Sequence, residues 1–387
     1  MQDAVPPHGR APASPEQIRV PVVLMRGGSS KGVFLRAQDV PSDPAARTRF
    51  LLALFGSPDR RQIDGLGGAD LLTSKCAIMG PSTRADADID YTFAQVSVEQ
   101  PTVSYDINCG NISSAAGLYA IEEGFVHPEE PTTVVRVHNT NTGSILCIRV
   151  PVRDGTACIE GDCLIDGVPG SGAEVGLDLS LTVGGTTGRL LPSGAVRNRI
   201  EVDGVDHPID VSIVDIGNPC VFVAASDLGL TGVEGPLTMP AALYDILDRI
   251  RAEAARLAGI DSYLLPFQVV VSPPAAAQDY VAGRAIDSDE MDVTARLIVE
   301  RGVHKAFAGT GATCLGVAAR LAGSVVHDVC RARGMRDRLR IGHPSGIMSV
   351  LADVSSDAGS WKVNEVTFAR TARRLLAGEA YVRRTRL

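Results

Sequence analysis

One pattern is written twice along this chain and restricts its fold more than any other feature. In each half, short β-rich segments surround a single helix of small residues, opened by a polar loop containing glycine. The first such loop is Asn108-Cys109-Gly110-Asn111. The helix after it, Ser113–Glu123, carries Ala115, Ala116, Tyr119 and Ala120 and is closed by Gly124. The second loop, Gly309-Thr310-Gly311-Ala312, opens a helix that runs through Leu321 and stops at Gly323. The repetition reads as an internal duplication of structure with little sequence identity between the copies. A chain of 387 residues has room for two domains, each with its own core. The Gly-rich stretch Val183–Gly188 puts the boundary near residue 185.

The segments between follow the same grammar. Val20–Leu24 and Val33–Leu35 read as strands joined by the small-residue loop Arg26–Gly32. Ser42-Asp43-Pro44 caps and starts a helix that Gly56 ends, and Ala242–Leu257 has the apolar stripe of an amphipathic helix. Tyr91–Val98, Thr132–Val137, Ile145–Val150, Val211–Val214, Val221–Val223 and Phe267–Val271 read as strands of a curled, largely antiparallel sheet. Gly is abundant, at 40 residues, while aromatics make up 4%; this combination implies tight turns and places where backbone approaches a ligand.

Charge and composition exclude several functions. With 45 Asp+Glu against 37 Lys+Arg, the chain has neither a basic footprint nor stacking platforms for nucleic acid. Eight cysteines are scattered, with no C-x-x-C and no paired zinc-finger spacing. Residues 1–17 lack the apolar core of a signal peptide and read as a disordered tail, and no apolar run is long enough to span a membrane. The expectation is a cytoplasmic protein with reduced thiols.

Chemistry concentrates at a few positions. Cys109 stands at a helix start, where unpaired N–H groups attract anions and favour a thiolate, so it is a candidate acid or base. A small buried cysteine beside a turn is the plainer alternative. Lys75 opens the apolar stretch Lys75–Met79. Desolvation there would disfavour its charged form and suit a base, but pattern alone favours a lysine reaching back to water. Gly309–Ala312 is either a second anion cradle or a tight turn. His343, in Gly342-His343-Pro344-Ser345-Gly346, is either a ligand contact or structural. Ser30-Lys31-Gly32 is no P-loop, no G-x-G-x-x-G stands between strand and helix, and nothing supports a metal site.

Taken together, Arg26–Gly32, Gly56-Ser57-Pro58-Asp59, Gln62-Ile63-Asp64-Gly65, Thr73-Ser74-Lys75, Asn108–Asn111 and Gly342–Gly346 follow one another in the order seen in the PrpF family, which the chain resembles from about residue 20 to 375. That family includes 2-methylaconitate cis-trans isomerase, methylitaconate Δ-isomerase and 4-oxalomesaconate tautomerase. The resemblance implies an α+β, diaminopimelate-epimerase-like fold: two β-roll domains, residues 18–185 and 186–387, each wrapped around a central helix. It also implies a site in the cleft between them that uses neither metal nor organic cofactor.

Epimerases of this fold carry a cysteine at the start of each central helix. Here Thr313 is taken to stand where the second is expected, with Cys314 about 100° further round the helix. That disfavours a two-thiol racemase. The resemblance instead pairs Lys75 with Cys109 as the two catalytic groups, in an order the sequence leaves open. The substrate would be a small unsaturated di- or tricarboxylate, whose double bond moves by allylic proton transfer. Ser29, Ser30 and Ser345 are expected to hold its carboxylates, and Ser74, Asn108, Gly110, Asn111, Thr310, Gly311 and His343 complete the expected binding set. The wording of Val137–Gly143 and Asp166–Gly170 leans towards 4-oxalomesaconate. A homodimer is common in this fold. The distant alternative is an accessory protein to an aconitase-like enzyme.

Overall fold

The computed structural model describes residues 14–281, 283–330, 338–357 and 360–387. Most of the expected tail, residues 1–13, lies outside the described residues. Its end does not, because Gln17 already opens strand β1 (Gln17–Gly27).

β1 turns through Gly28 and Ser29 into β2 (Ser30–Arg36), with Gly27 paired to Ser30. Gly28 supplies the positive φ, +51°, that such a tight hairpin needs. β2 lies parallel to β3 (Lys75–Pro81), and β3 antiparallel to β4 (Ile89–Val96). Nineteen strands of the described residues join one continuous, mostly antiparallel sheet.

Among the described residues five α-helices interrupt the strands. In α1 (Pro44–Phe55) the Asp43 carboxylate accepts from the Ala46 N–H, proline fills the first position, and Gly56 ends the helix at φ +74°. α1 packs Phe50, Leu51, Leu54 and Phe55 against Val20, Leu35 and Ile78 on the outer face of the first strands. α3 (Leu243–Ala258) does the same in the second half, laying Leu247, Ile250 and Ala254 on Ile209, Val211 and Val270.

The two small-residue helices are interior. Every residue of α2 (Gly110–Glu122) up to Ile121 is buried, and so is every residue of α4 (Gly309–Ala318), which a short α5 (Val325–Cys330) follows. Strands pass on all sides, so no polar face is needed. The hydroxyls of Ser113, Ser114 and Thr313 turn back onto the carbonyls of Cys109, Asn111 and Gly309. The duplication holds in register: a Cβ on Gly117 would meet Ile148 at 2.7 Å, and one on Gly316, at the same helical position, would meet Val350 at 2.8 Å.

The last strand departs from the expected division at residue 185. Ala372–Arg383 runs antiparallel along all of β1, from Gln17 against Arg383 to Gly27 against Ala372. The chain end therefore completes the first half's sheet rather than the second's. Val175–Asp178 pairs with Ser144–Arg153 on one side and Ser360–Arg370 on the other, and the helices α2 and α4 share a single core.

Candidate active site

α2 and α4 point their N-termini at each other. Gly110 and Gly309 meet there, close enough that a Cβ on Gly110 would lie 3.4 Å from the Gly309 Cα. Both helices thus direct their unpaired first-turn N–H groups and positive dipole ends to one place. The cleft at this junction is lined by Ser30, Lys75, Asn108, Cys109, Gly110 and Asn111, and from the second half by Glu300, His304, Ala308 and Gly309.

Cys109 is the N-cap of α2, its Sγ accepting from the Ile112 N–H at 3.5 Å. The matching N-cap of α4 is Ala308, which offers no side-chain cap. This corrects the expected counterpart. Thr313 lies a turn inside α4, bonded to its own helix, and Ala308 occupies the place equivalent to Cys109. Cys314 faces away, its single S–H within reach of the carbonyls of Val214, Ile216 and Asn218. The second helix therefore contributes no thiol to the cleft.

Lys75 reaches the cleft from the first residue of β3 and is 7% exposed. Its cross-strand neighbour is Gln95, whose Oε1 accepts from Nζ at 2.7 Å. The Gln95 amide cannot turn round, because its Nε2 donates to the carbonyls of Ser74 and Leu71. Phe93 lies 5.3 Å beneath Nζ, measured to the ring centroid. Opposite stand Glu300 and His304. Glu300 sits in a two-residue turn, Glu300-Arg301, with both φ values positive (+47° and +59°). Arg301 anchors that turn to Asp245 and Asp248 of α3. Partial burial raises the Glu300 carboxyl above its ordinary pKa, and the charge of Lys75 pulls the other way. Burial first, then Lys75, pulls the His304 imidazole down to about 4. Its Nδ1 accepts from the Ala306 N–H, so the neutral ring carries its proton on Nε2.

Asparagines tie the two helix starts together. The Asn108 N–H donates to Asn218 Oδ1 at 2.7 Å, and Asn218 Nδ2 donates to the Asn108 carbonyl and to Thr310 Oγ1. Asn108 in turn donates to the Gly217 carbonyl and receives the amide of Asn139. Asn111 Nδ2 donates to Ser29 and Ser30, while its Oδ1 accepts from Arg370.

Other expected binding residues lie elsewhere. Ser29 and His343 line a second recess beside the cleft. Four do not line either space. Ser74 is wholly buried and donates to Gln62 Oε1; Gln62 also takes the Ala69 N–H and donates to Ser57, so the family-like motifs between residues 56 and 75 form the scaffold of the loop that presents Lys75. The Thr310 hydroxyl is taken by Asn218, Gly311 packs against Leu297, and Ser345 bonds the Lys305 carbonyl. Gln95, Asn218, Glu300, His304 and Arg370 belong to the site or its support and carry no motif that marks them.

The profile of the family described as "PrpF protein" matches residues 17–383. The chain is 45% identical over 383 residues to 3-methylitaconate isomerase of Eubacterium barkeri, spanning 96% of this chain and 99% of that one. Against 4-oxalomesaconate tautomerase of Pseudomonas putida the identity is 38% over 368 residues, spanning 94% and 96%. Among solved structures, methylitaconate-delta-isomerase superposes with a TM-score of 0.78 at 45% identity, covering 96% of this chain and 97% of that one. A hydroxyproline epimerase superposes with a TM-score of 0.55 at 16% identity, covering 96% and 93%, a likeness of fold alone. The fold is the diaminopimelate-epimerase-like one.

Proposed function

The chain belongs to the PrpF family and is an isomerase, and from that premise we propose that it shifts a double bond by 1,3-proton transfer in a small unsaturated polycarboxylate. The observation that carries this reading is one amine and one thiol, Lys75 and Cys109, lining the cleft where two helix starts converge. Lys75, as the amine, takes the proton from the carbon next to the double bond. The electron pair spreads along the allylic system onto a carboxylate or keto oxygen. First-turn N–H groups of α2 and α4 and the Nε2–H of His304 face that charge as it develops. Cys109 gives its proton to the far carbon and is left a thiolate. Proton return from the Lys75 ammonium to the thiolate resets the pair.

The finer choice of substrate is weighed by similarity. The 45% identity to a 3-methylitaconate isomerase, against 38% to a 4-oxalomesaconate tautomerase, favours a methylitaconate-like dicarboxylate over the oxalomesaconate towards which the loop wording leans. Rotation before reprotonation would give cis-trans isomerisation from the same groups, so 2-methylaconitate belongs in the same trial.

The experiment is incubation with methylitaconate, 4-oxalomesaconate and 2-methylaconitate in D₂O, followed by NMR. One of them should gain deuterium and move or invert its double bond. Lys75→Met and Cys109→Ser should each lower the rate at least 100-fold, the scale of a positioned acid or base. If none of the three exchanges, the reaction class is wrong; if both variants keep full activity, the assignment of the two groups is wrong.

A further inference from the structure

We propose that Arg370, in the recess beside the cleft, anchors a second carboxylate of the substrate, one remote from the carbon that loses its proton. The inference rests on the polycarboxylate reading above and adds the residue that would select a di- or tricarboxylate over a monocarboxylate.

Arg370 ends the strand Ser360–Arg370, where Val366, Phe368 and Arg370 alternate inward. An arginine thereby takes a core-facing position and is 5% exposed. Its Nε donates to Asn111 Oδ1 at 2.8 Å, one terminal nitrogen to its neighbour's carbonyl at Ala369, and the other only to the thioether of Met348, a weak acceptor. Among the described residues no carboxylate pairs with it. The acid that shares the recess, Asp166, is engaged by the Ile347 N–H at 2.6 Å and by Arg284 at 3.7 Å.

The second buried arginine shows what a purely structural one looks like here. Arg296 gives Nε to the Glu234 carbonyl and one terminal nitrogen to those of Ala295 and Gly342, and borders neither space. A buried guanidinium without a counter-charge is costly. Burial pulls Arg370 down to about 10, which still leaves it charged at neutral pH. Arg338 also lines the recess, and neutral hydrogen-bonding groups stand there with it. His343, held far below its ordinary pKa by burial and by Arg370 and Arg296, accepts the Ser345 N–H at Nδ1 and so presents Nε2–H, while Ser29 offers a hydroxyl. Asn111 joins the two spaces, since it lines the catalytic cleft and bonds Arg370, Ser29 and Ser30 together. A dicarboxylate can thus place one carboxylate at the helix starts and the other on the planar fork of Arg370.

Calorimetric titration with an unreactive dicarboxylate, 2,3-dimethylsuccinate, and with its monoamide tests this without relying on turnover. Arg370→Gln should bind the diacid about 10- to 100-fold more weakly than the wild type, the scale of a lost charge-assisted bond. Arg370→Lys, which keeps charge but loses the fork, should fall between. The monoamide should lose affinity for the wild type and lose little more for Arg370→Gln, because the partner is already gone. Equal diacid affinity in wild type and a folded Arg370→Gln overturns the proposal, as does a monoamide penalty that is unchanged in Arg370→Gln. Lys75→Met should keep the wild-type ratio of diacid to monoamide affinity, whatever it does to each alone, so a failure of the proton-transfer reading and a failure of this one give different results.

Discussion

The contact between the two helix starts is tight enough for a single methyl group to report on it. A Cβ on Gly309 would stand 2.6 Å from Cζ and 2.7 Å from Cε2 of Phe368. Carbon atoms rest at about 3.5–4.0 Å from one another, so the ring or the start of α4 must move by about 1 Å. The ring has little freedom: it is 1% exposed, and the Arg370 guanidinium lies over it at 4.9 Å from the centroid. Overpacking of this kind costs about 1–3 kcal/mol, and alanine's better helix propensity returns at most about 1 kcal/mol. Gly309→Ala should therefore lower Tm by only a few degrees. Its effect on rate should be larger, because a shift of about 1 Å in a catalytic constellation costs on the order of 100-fold. Gly110→Ala is the internal control. Its Cβ would meet the same ring at 3.0 Å, a milder conflict, so its loss should be smaller. The assay is kcat/KM for the double-bond shift, with Tm by scanning calorimetry, and Phe368→Leu added to Gly309→Ala should recover part of both. Wild-type kcat/KM in Gly309→Ala, or a deeper loss in Gly110→Ala, would refute the convergence argument.

Two more outcomes follow from the network around this junction. Asn218→Ala strands the Asn108 N–H and carbonyl and the Thr310 hydroxyl in the interior. At about 1–3 kcal/mol for each unsatisfied buried group, urea unfolding should show a loss of at least about 3 kcal/mol; a loss below 1 kcal/mol would mean the network does not hold the helix starts. His304, lowered to about 4 from the ordinary 6.5, takes up its proton in the unfolded chain at higher pH than in the folded one. Stability should then fall as pH drops from about 6.5 to 4, by up to about 3 kcal/mol from this residue. His343 adds to the fall in the same direction. His304→Gln should flatten the slope measured by urea unfolding at a series of pH values, and an unchanged slope would count against its burial as a neutral donor.

Local signals in the sequence mark what local physics decides. Asp43, Pro44 and Gly56 bound α1 where the structure has it, because caps act within a turn. The return of Ala372–Arg383 to β1 is invisible at that level: its partner lies 345 to 366 residues away, from Gly27 against Ala372 to Gln17 against Arg383, and nothing in either strand names the other. The site divides the same way. Cys109 stands out by its neighbours in sequence and Lys75 by the family resemblance, and the structure brings both to one cleft. Gln95 matters only through cross-strand register with Lys75, and Glu300 through a turn whose two positive φ values would sooner be expected of Asn-Gly. Arg370 did leave a signal, an arginine in step with Val366 and Phe368 on an inward face. Thr313 was misplaced because it lies beside a cysteine, whereas the equivalence runs through the helix start to Ala308.

That equivalence bears on the kind of reaction such a site serves. Cys109 and Ala308, Gly110 and Gly309, Gly117 and Gly316 hold matching positions on the two central helices. A pair of thiols at the two caps would suit inversion, where a proton leaves one face of a carbon and another arrives at the opposite face. With a methyl at Ala308, α4 keeps its field of N–H groups and gives up its proton donor. The second ionisable group enters instead from the first residue of β3 and lines the same cleft as Cys109. In the proposed reaction the two proton transfers occur at different carbons of one allylic system, so a base on a strand and an acid at a helix cap fit it. An alanine at the second cap is thus compatible with the proposed transposition and not with a two-thiol inversion, while both helix dipoles still face the developing charge.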